Sequence, residues 1–238
     1  MRFIYLFPHP DDESFGPVAA MHQQLKQGHE VHLLTLTKGG ATKVRYELGL
    51  TIEQMGEVRY KEMQAVAKTL GLTSMEVWDM PDSGLKRMDP REIAAPIEKY
   101  IKELKPDIVV TYPVHGISGF HDHLIIHAVV KRLYLDMVSA GEAYLKRLAF
   151  FTLPDKEGPK VGNKDFSLKK SDEEDIDVEV GLKPDDIEML KKCLSCYKTY
   201  QDKIESIGVV EQIGQTMYFE IFGEEHKPRL NDLADKLS

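Results

Sequence analysis

"FIYLFPHPDDESFG" spans Phe3 to Gly16, and its two halves differ in kind. Phe3 to Phe7 form an unbroken apolar run, as expected of a strand buried in a parallel sheet. His9, Asp11, Asp12 and Glu13 follow at once, where that strand has ended and its helix has not begun. In open α/β sheets this is where ligands bind. Ser14 is placed to cap a helix running to about Gln27, with Gly28 as its stop.

Outward from this segment, strand and helix patterns alternate. Strands are expected at Val31–Thr37, Met75–Trp78, Asp107–Tyr112, Arg147–Leu153 and Met217–Phe222. Helices are expected from Glu53 to Leu70, closed by Gly71, from Pro90 to Leu104, from the "PVHGISGFHDH" segment to Met137, and from Pro184 to Ile204. Lys38–Gly40 and Asp79–Gly84 read as loops. This β-α-β-α order, with right-handed crossovers, predicts an α/β fold: a three-layer α/β/α sandwich around a mostly parallel, Rossmann-like sheet. Residues 1–238 read as a single domain, without internal repeats.

Composition narrows the function. The 31 basic and 39 acidic residues give a net charge of −8, which offers phosphate backbones no general attraction, so no nucleic-acid partner is expected. The N-terminal apolar run is too short for a signal peptide or a membrane span, so the expectation is a cytoplasmic protein with no membrane partner. Self-association as a homo-oligomer stays open. Cys193 and Cys196 read as small helix residues in a reducing compartment. "SDEEDIDVE" carries six carboxylates between Asp172 and Glu179 but lacks the spacing and glycine of a calcium loop. It reads as a solvated loop entering an edge strand.

Pro8 and Pro10 hold the first polar segment extended, so that its turn aims His9 and Asp12 at one point while Asp11 approaches from the side. Crowded carboxylates repel, and a divalent cation removes that cost; imidazole with carboxylate suits zinc or iron. The strand ending at Tyr112 leads into His115, His121, Asp122, His123 and His127. If the strand order is 3-2-1-4-5, both clusters face one crevice. No glycine fingerprint follows either strand, so a dinucleotide does not account for it. Not all these histidines are ligands. His127, among apolar helix neighbours, reads as packed; His115 reads as a loop residue. His123 and His127 have helical zinc-site spacing but lack the glutamate of H-E-x-x-H.

"PHPDDE" after the first strand and a distal G-x-x-D-H after the fourth resemble the PIG-L/LmbE family of zinc-dependent N-acetylglucosaminyl deacetylases. The resemblance extends through "EVRYKEMQAVAKTLGL" (57–72), "PDSGL" (81–85) and "LKKCLSCYKTYQDKI" (190–204), about the whole chain. "GISGFHDHLIIHAVVKR" is most similar to the branch that makes bacillithiol in low-GC Gram-positive bacteria, whose substrate is N-acetylglucosaminyl malate. The resemblance implies that His9, Asp12 and His123 bind Zn2+, with Asp11 as general base. It also implies that Arg59 and Asp82 contact the sugar and its aglycone, an amino-sugar conjugate of small size. Glu13 is expected to point into the following helix N-terminus. The plain structural alternatives are an exposed Arg59–Glu62 helix pair and a turn-closing Asp82.

Other classes share parts of this pattern. Fe2+ could replace zinc in the cell, and two histidines with a carboxylate also describe non-haem iron oxygenases, although those present H-x-[DE] on a jelly roll. A silent sugar-binding module gives no reason for Asp11, whereas an amidase for low-molecular-weight thiol S-conjugates shares the same chemistry. The sequence departs from the resembling family at one point. Many members read G-H-P-D-H, with the first histidine assisting the reaction, where this chain has Gly119-Phe120-His121-Asp122-His123. His121 is expected to swing into the vacant role, oriented by Asp122; His115, Asp11 alone, or a solvent-facing His121 are the alternatives.

Overall fold

The computed structural model describes residues 1–155 and 168–237. Its sheet has the order β3-β2-β1-β4-β5-β7-β6, built from β1 (Arg2–Phe7), β2 (Glu30–Thr35), β3 (Ser74–Val77), β4 (Ile108–Thr111), β5 (Arg147–Thr152), β6 (Val178–Gly181) and β7 (Thr216–Ile221). The first five strands run parallel in the expected 3-2-1-4-5 order, and β7 pairs antiparallel with β5 and β6. Phe3 to Phe7 of β1 are fully buried between two helical layers. One layer holds α1 (Val18–Lys26), α3 (Ile52–Leu70) and α6 (Pro184–Leu194); the other holds α4 (Pro90–Leu104) and α5 (His121–Ser139). The remaining α-helices among the described residues are the short α2 (Val44–Glu47), α7 (Gln201–Ile207) and α8 (Val209–Ile213). Among the described residues, no helix is long and apolar enough to cross a membrane.

Local chemistry sets the boundaries. Thr51 and Gln54 form a capping box at the start of α3, and Gly71 ends it in the left-handed conformation. Asp89 caps α4, with Pro90 in its first turn. Three expectations need correction. Ser14 caps nothing: the Glu13 carbonyl accepts from Val18 N–H, the turn runs on, and α1 starts after Pro17 without a side-chain cap. Its hydroxyl instead donates to Glu13 Oε1. The helix expected over Pro184–Ile204 stops at Leu194, and Tyr197 and Tyr200 lie in the break before α7. Cys193 is therefore buried in α6 and Cys196 lies beyond its end; both are free. The acidic run leads into edge strand β6 as expected, and residues 172–175 are exposed, but Asp177 is buried and accepts from Ile221 and His226 N–H, so the run is solvated only in its first part. Residues 155–175, polar and rich in lysine and acid in the sequence, lie partly outside the described residues.

Candidate active site

The two polar clusters meet because β1 and β4 are neighbours whose ends open on the same side. Past β1 the chain makes a tight turn. His9 N–H donates to Asp12 Oδ2 at 2.8 Å, and Asp11 adopts a left-handed φ of 82°. That conformation is uncommon for a non-glycine residue and persists only where the surroundings enforce it. Here Asp11 N–H donates to Tyr197 Oη (2.9 Å), and the Asp11 carbonyl accepts from Ser14 and Phe15 N–H. Past β4, Gly116 has a φ of 63°, and a Cβ there would lie 2.8 Å from His123 Cβ. Glycine thus lets the loop close on α5, where Gly116 O lies 2.9 Å from His123 Nδ1.

Because a carbonyl only accepts, His123 carries its proton on Nδ1 and turns the Nε2 lone pair inward. His9 Nδ1 lies 3.2 Å from that Nε2. Asp12 completes the group, with Oδ1 3.3 Å from His123 Nε2 and Oδ2 3.6 Å from His9 Nδ1. Tyr112 fixes both partners. Its ring stacks on His123 at 4.1 Å, and its hydroxyl donates to Asp12 Oδ1 at 2.7 Å. A tetrahedral zinc with bonds of about 2.0–2.1 Å separates its ligands by about 3.3 Å; the two imidazole nitrogens stand close to that spacing, and the Asp12 carboxylate flanks each of them with a different oxygen, a donor set suited to such an ion. The three residues form one of the groups able to hold a metal; a second is His9, Asp82 and Asp122.

The electrostatics follow from burial. Burial pushes the Asp11 carboxyl up, and Arg59 opposes it. Burial also acts on Asp12, but His123, His9 and the Tyr112 hydroxyl outweigh it and hold that carboxyl low. Burial lowers His9, yet Asp122, Asp12 and Asp82 together raise it. Glu13 corrects another expectation. It is wholly buried below the turn, accepts from Ser14 Oγ and Tyr197 Oη, and is pushed up to about 7 by burial. It does not face the α1 N-terminus, which begins five residues later.

Arg59 is neither exposed nor paired with Glu62. Only 3% exposed, it donates from Nη2 to Asp11 Oδ2 (2.5 Å) and to Pro10 O (2.6 Å), and from Nη1 to Tyr200 Oη (2.7 Å). Glu62 instead accepts from Thr199 N–H and Oγ1–H. Asp82 reaches the site: Oδ2 accepts from Ala41 N–H, and Oδ1 lies 3.4 Å from His9 Nε2. His127 is packed, its Nδ1 2.9 Å from Tyr112 O and its ring against Phe150. His115 is engaged away from the cluster, with Ser171 Oγ and Ile117 N–H.

His121 is not brought in. It is exposed at the first position of α5, whose next two residues, Asp122 and His123, take the inward face. Asp122 does not orient His121; its Oδ2 lies 3.2 Å from His9 Nε2. Tyr112, Tyr197 and Tyr200 received no role from the sequence reading. The last two lay inside the 190–204 segment already singled out, but that segment read as one unbroken helix, so nothing in it marked the break that turns Tyr197 and Tyr200 toward the site.

An open α/β sheet carrying two histidines and clustered carboxylates at its switch point offers a donor group of the kind that can hold a cation, beside a further acid, Asp11, that is paired with Arg59. The family model for PIG-L, the GlcNAc-PI de-N-acetylases, matches residues 4–134, and the chain belongs to that family. Curated relatives include 1D-myo-inositol 2-acetamido-2-deoxy-alpha-D-glucopyranoside deacetylases. That of Kineococcus radiotolerans is 32% identical over 162 residues, covering 56% of this chain and 45% of the relative. That of Salinispora arenicola is 29% identical over 172 residues, covering 63% and 55%. The chain thus spans about half the length of the curated relatives it matches. Among solved structures, a deacetylase of teicoplanin biosynthesis aligns with a TM-score of 0.70 at 15% identity, covering 93% of this chain and 97% of the other. The 4-carboxy-2-hydroxymuconate hydratase of a Pseudomonas strain aligns at 0.69 and 13%, covering 94% and 97%. Such identities speak for the fold alone, and the fold carries more than one reaction.

Proposed function

We propose that this chain is a metal-dependent N-deacetylase that hydrolyses the acetamide of an N-acetylglucosaminyl conjugate, with residues 1–238 acting as one domain. The observation that carries the reading is Asp11. It is an acid outside the His9–Asp12–His123 group, held beside that group in a strained conformation by Arg59 and Tyr197. A binding module has no use for such a group, whereas amide hydrolysis needs a base at that position.

His9, Asp12 and His123 would hold zinc, or iron in its place; the bound ion supplies an acidified water and polarises the acetyl carbonyl. Asp11 accepts the proton released as the water oxygen bonds to the carbonyl carbon. The C–N bond then breaks, and the same proton is returned to the departing amine, leaving acetate and a free amino sugar. Arg59 keeps the working oxygens of Asp11 in place through Oδ2, and Tyr112 keeps Asp12 oriented. His121, exposed, has no part in this route.

For the substrate, the resemblance of residues 116–132 supports N-acetylglucosaminyl malate, while the curated relatives named for an inositol conjugate support the same amino sugar on another aglycone. Incubating the purified protein with N-acetylglucosaminyl malate, N-acetylglucosaminyl inositol, free N-acetylglucosamine and an amide-linked thiol S-conjugate, and measuring acetate and free amine, tests this. Acetate is expected in equimolar amount with amine, fastest from the malate glycoside. Cleavage confined to the thiol conjugate would overturn the reading in favour of an amidase.

A further inference from the structure

His9 is claimed by both groups able to hold a metal, through different ring nitrogens. Nδ1 faces Asp12 and His123, whereas Nε2 lies 3.2 Å from Asp122 Oδ2 and 3.4 Å from Asp82 Oδ1. A neutral imidazole offers one lone pair and one N–H, so a single histidine cannot serve as ligand to both groups at once. Its surroundings decide between them. On the Nδ1 side stands the inward lone pair of His123 Nε2, fixed by the contact of the opposite nitrogen with Gly116 O. On the Nε2 side stand two carboxylates, and these suit a hydrogen. Asp122 is 2% exposed and, among the described residues, its Oδ1 has no hydrogen-bond partner, so the carboxylate's contact is the one its Oδ2 makes with His9.

Resting on the metal reading above, we infer that Asp122, with Asp82 in support, is a positioning residue that receives the His9 Nε2–H and thereby presents His9 Nδ1 as the ligand atom. The residue at 120 bears on why Asp122 is free for this. Phe120 has no hydrogen-bonding side chain, is 55% exposed, and sets its ring edge-on to His123, while His121 faces away from the cluster. No imidazole of its own segment therefore competes with His9 for the Asp122 carboxylate. Carboxylates that hold the far nitrogen of a ligating histidine fix its tautomer and strengthen it as a donor, and their loss weakens metal affinity about 10–100-fold.

The test uses the full chain loaded with zinc. Long-range proton–nitrogen correlation of the histidine rings should show His9 protonated at Nε2 and metal-bound at Nδ1. Zinc dissociation constants by chelator competition should rise about 10–100-fold in Asp122→Ala. Asp122→Asn keeps an acceptor oxygen but not the charge, so its loss should be smaller than that of Asp122→Ala, and its near-identical shape preserves folding should the alanine variant fail to fold. His9 bound through Nε2, or an unchanged zinc affinity in Asp122→Asn and Asp122→Ala, overturns the inference and leaves the proposed function standing. No zinc uptake by the unaltered protein overturns both.

Discussion

Replacing Arg59 by alanine separates two roles for this residue, a grip on substrate and a hold on Asp11. The guanidinium is buried, donates to Asp11, Pro10 and Tyr200, and packs its Cζ 4.2 Å from the Tyr200 ring centroid. The Asp11 side chain is itself only 16% exposed. Breaking a buried pair by removing one partner costs about 3–5 kcal/mol, because the other charge is left uncompensated. At about 2–4 °C per kcal/mol for a chain of this size, Tm should fall by roughly 6–20 °C. Asp11 can relieve part of the cost by binding a proton. Burial already raises it, Arg59 restrains it, and loss of Arg59 moves it higher still. A general base works only when ionised, so the acid limb of kcat/KM should move to higher pH. Arg59→Lys retains the charge without the planar fork and should show both effects in weaker form. Thermal unfolding and a pH–rate profile on two substrates are the assays. An unchanged Tm and acid limb, with KM raised only for an acidic aglycone, would refute this reasoning and return Arg59 to the substrate.

Asp11→Asn retains shape but accepts no proton; it should keep its metal and lose roughly 10²–10⁴-fold in turnover, and turnover near that of the unaltered protein would remove Asp11 from the reaction. Glu13 should shape the pH dependence of stability. Its folded value of about 7 lies above its ordinary 4.5, so the folded state holds a proton that the unfolded chain has released between these values. The Glu13 contribution is therefore fully present below pH 4.5 and falls by up to about 3 kcal/mol as pH rises through 7. Glu13→Gln should abolish that decline, and denaturant melts at pH 5 and pH 8 that still diverge as in the unaltered protein would contradict it. His121→Ala should leave zinc content and kcat unchanged, since the side chain is exposed; a loss of roughly 10²–10⁴-fold would place it in the reaction after all.

The parallel half of the sheet was legible because each of its strands is an apolar run followed by a helix pattern, and the order 3-2-1-4-5 then brings residues 9–13 and 115–123 to one crevice. On that basis His9 and Asp12 could be read as aimed at one point, whereas the choice of His123 among His115, His121, His123 and His127 came from the family resemblance. The resemblance placed Arg59 in the pocket, but its hold on Asp11 was not legible: i, i+3 spacing to Glu62 offered only a surface pair, while the partners of both side chains come from distant segments, Asp11 for one and Thr199 for the other. Glu13 was misplaced for a related reason. The left-handed Asp11 turn delays α1 to Val18, and nothing local announces a positive φ at an aspartate. His121 depended on a single residue of register, as α5 begins on it and only the next two positions turn inward.

The central claim is that His9, Asp12 and His123 hold a metal beside which Asp11 drives deacetylation. Stripping the protein with a chelator and titrating zinc back, while acetate release from an N-acetylglucosaminyl conjugate is followed, tests it most directly. Activity should be absent from the stripped protein and should rise in proportion to zinc until one equivalent is bound, with His123→Ala failing to recover. Full acetate release by the metal-free protein, or by zinc-treated His123→Ala, would contradict the account.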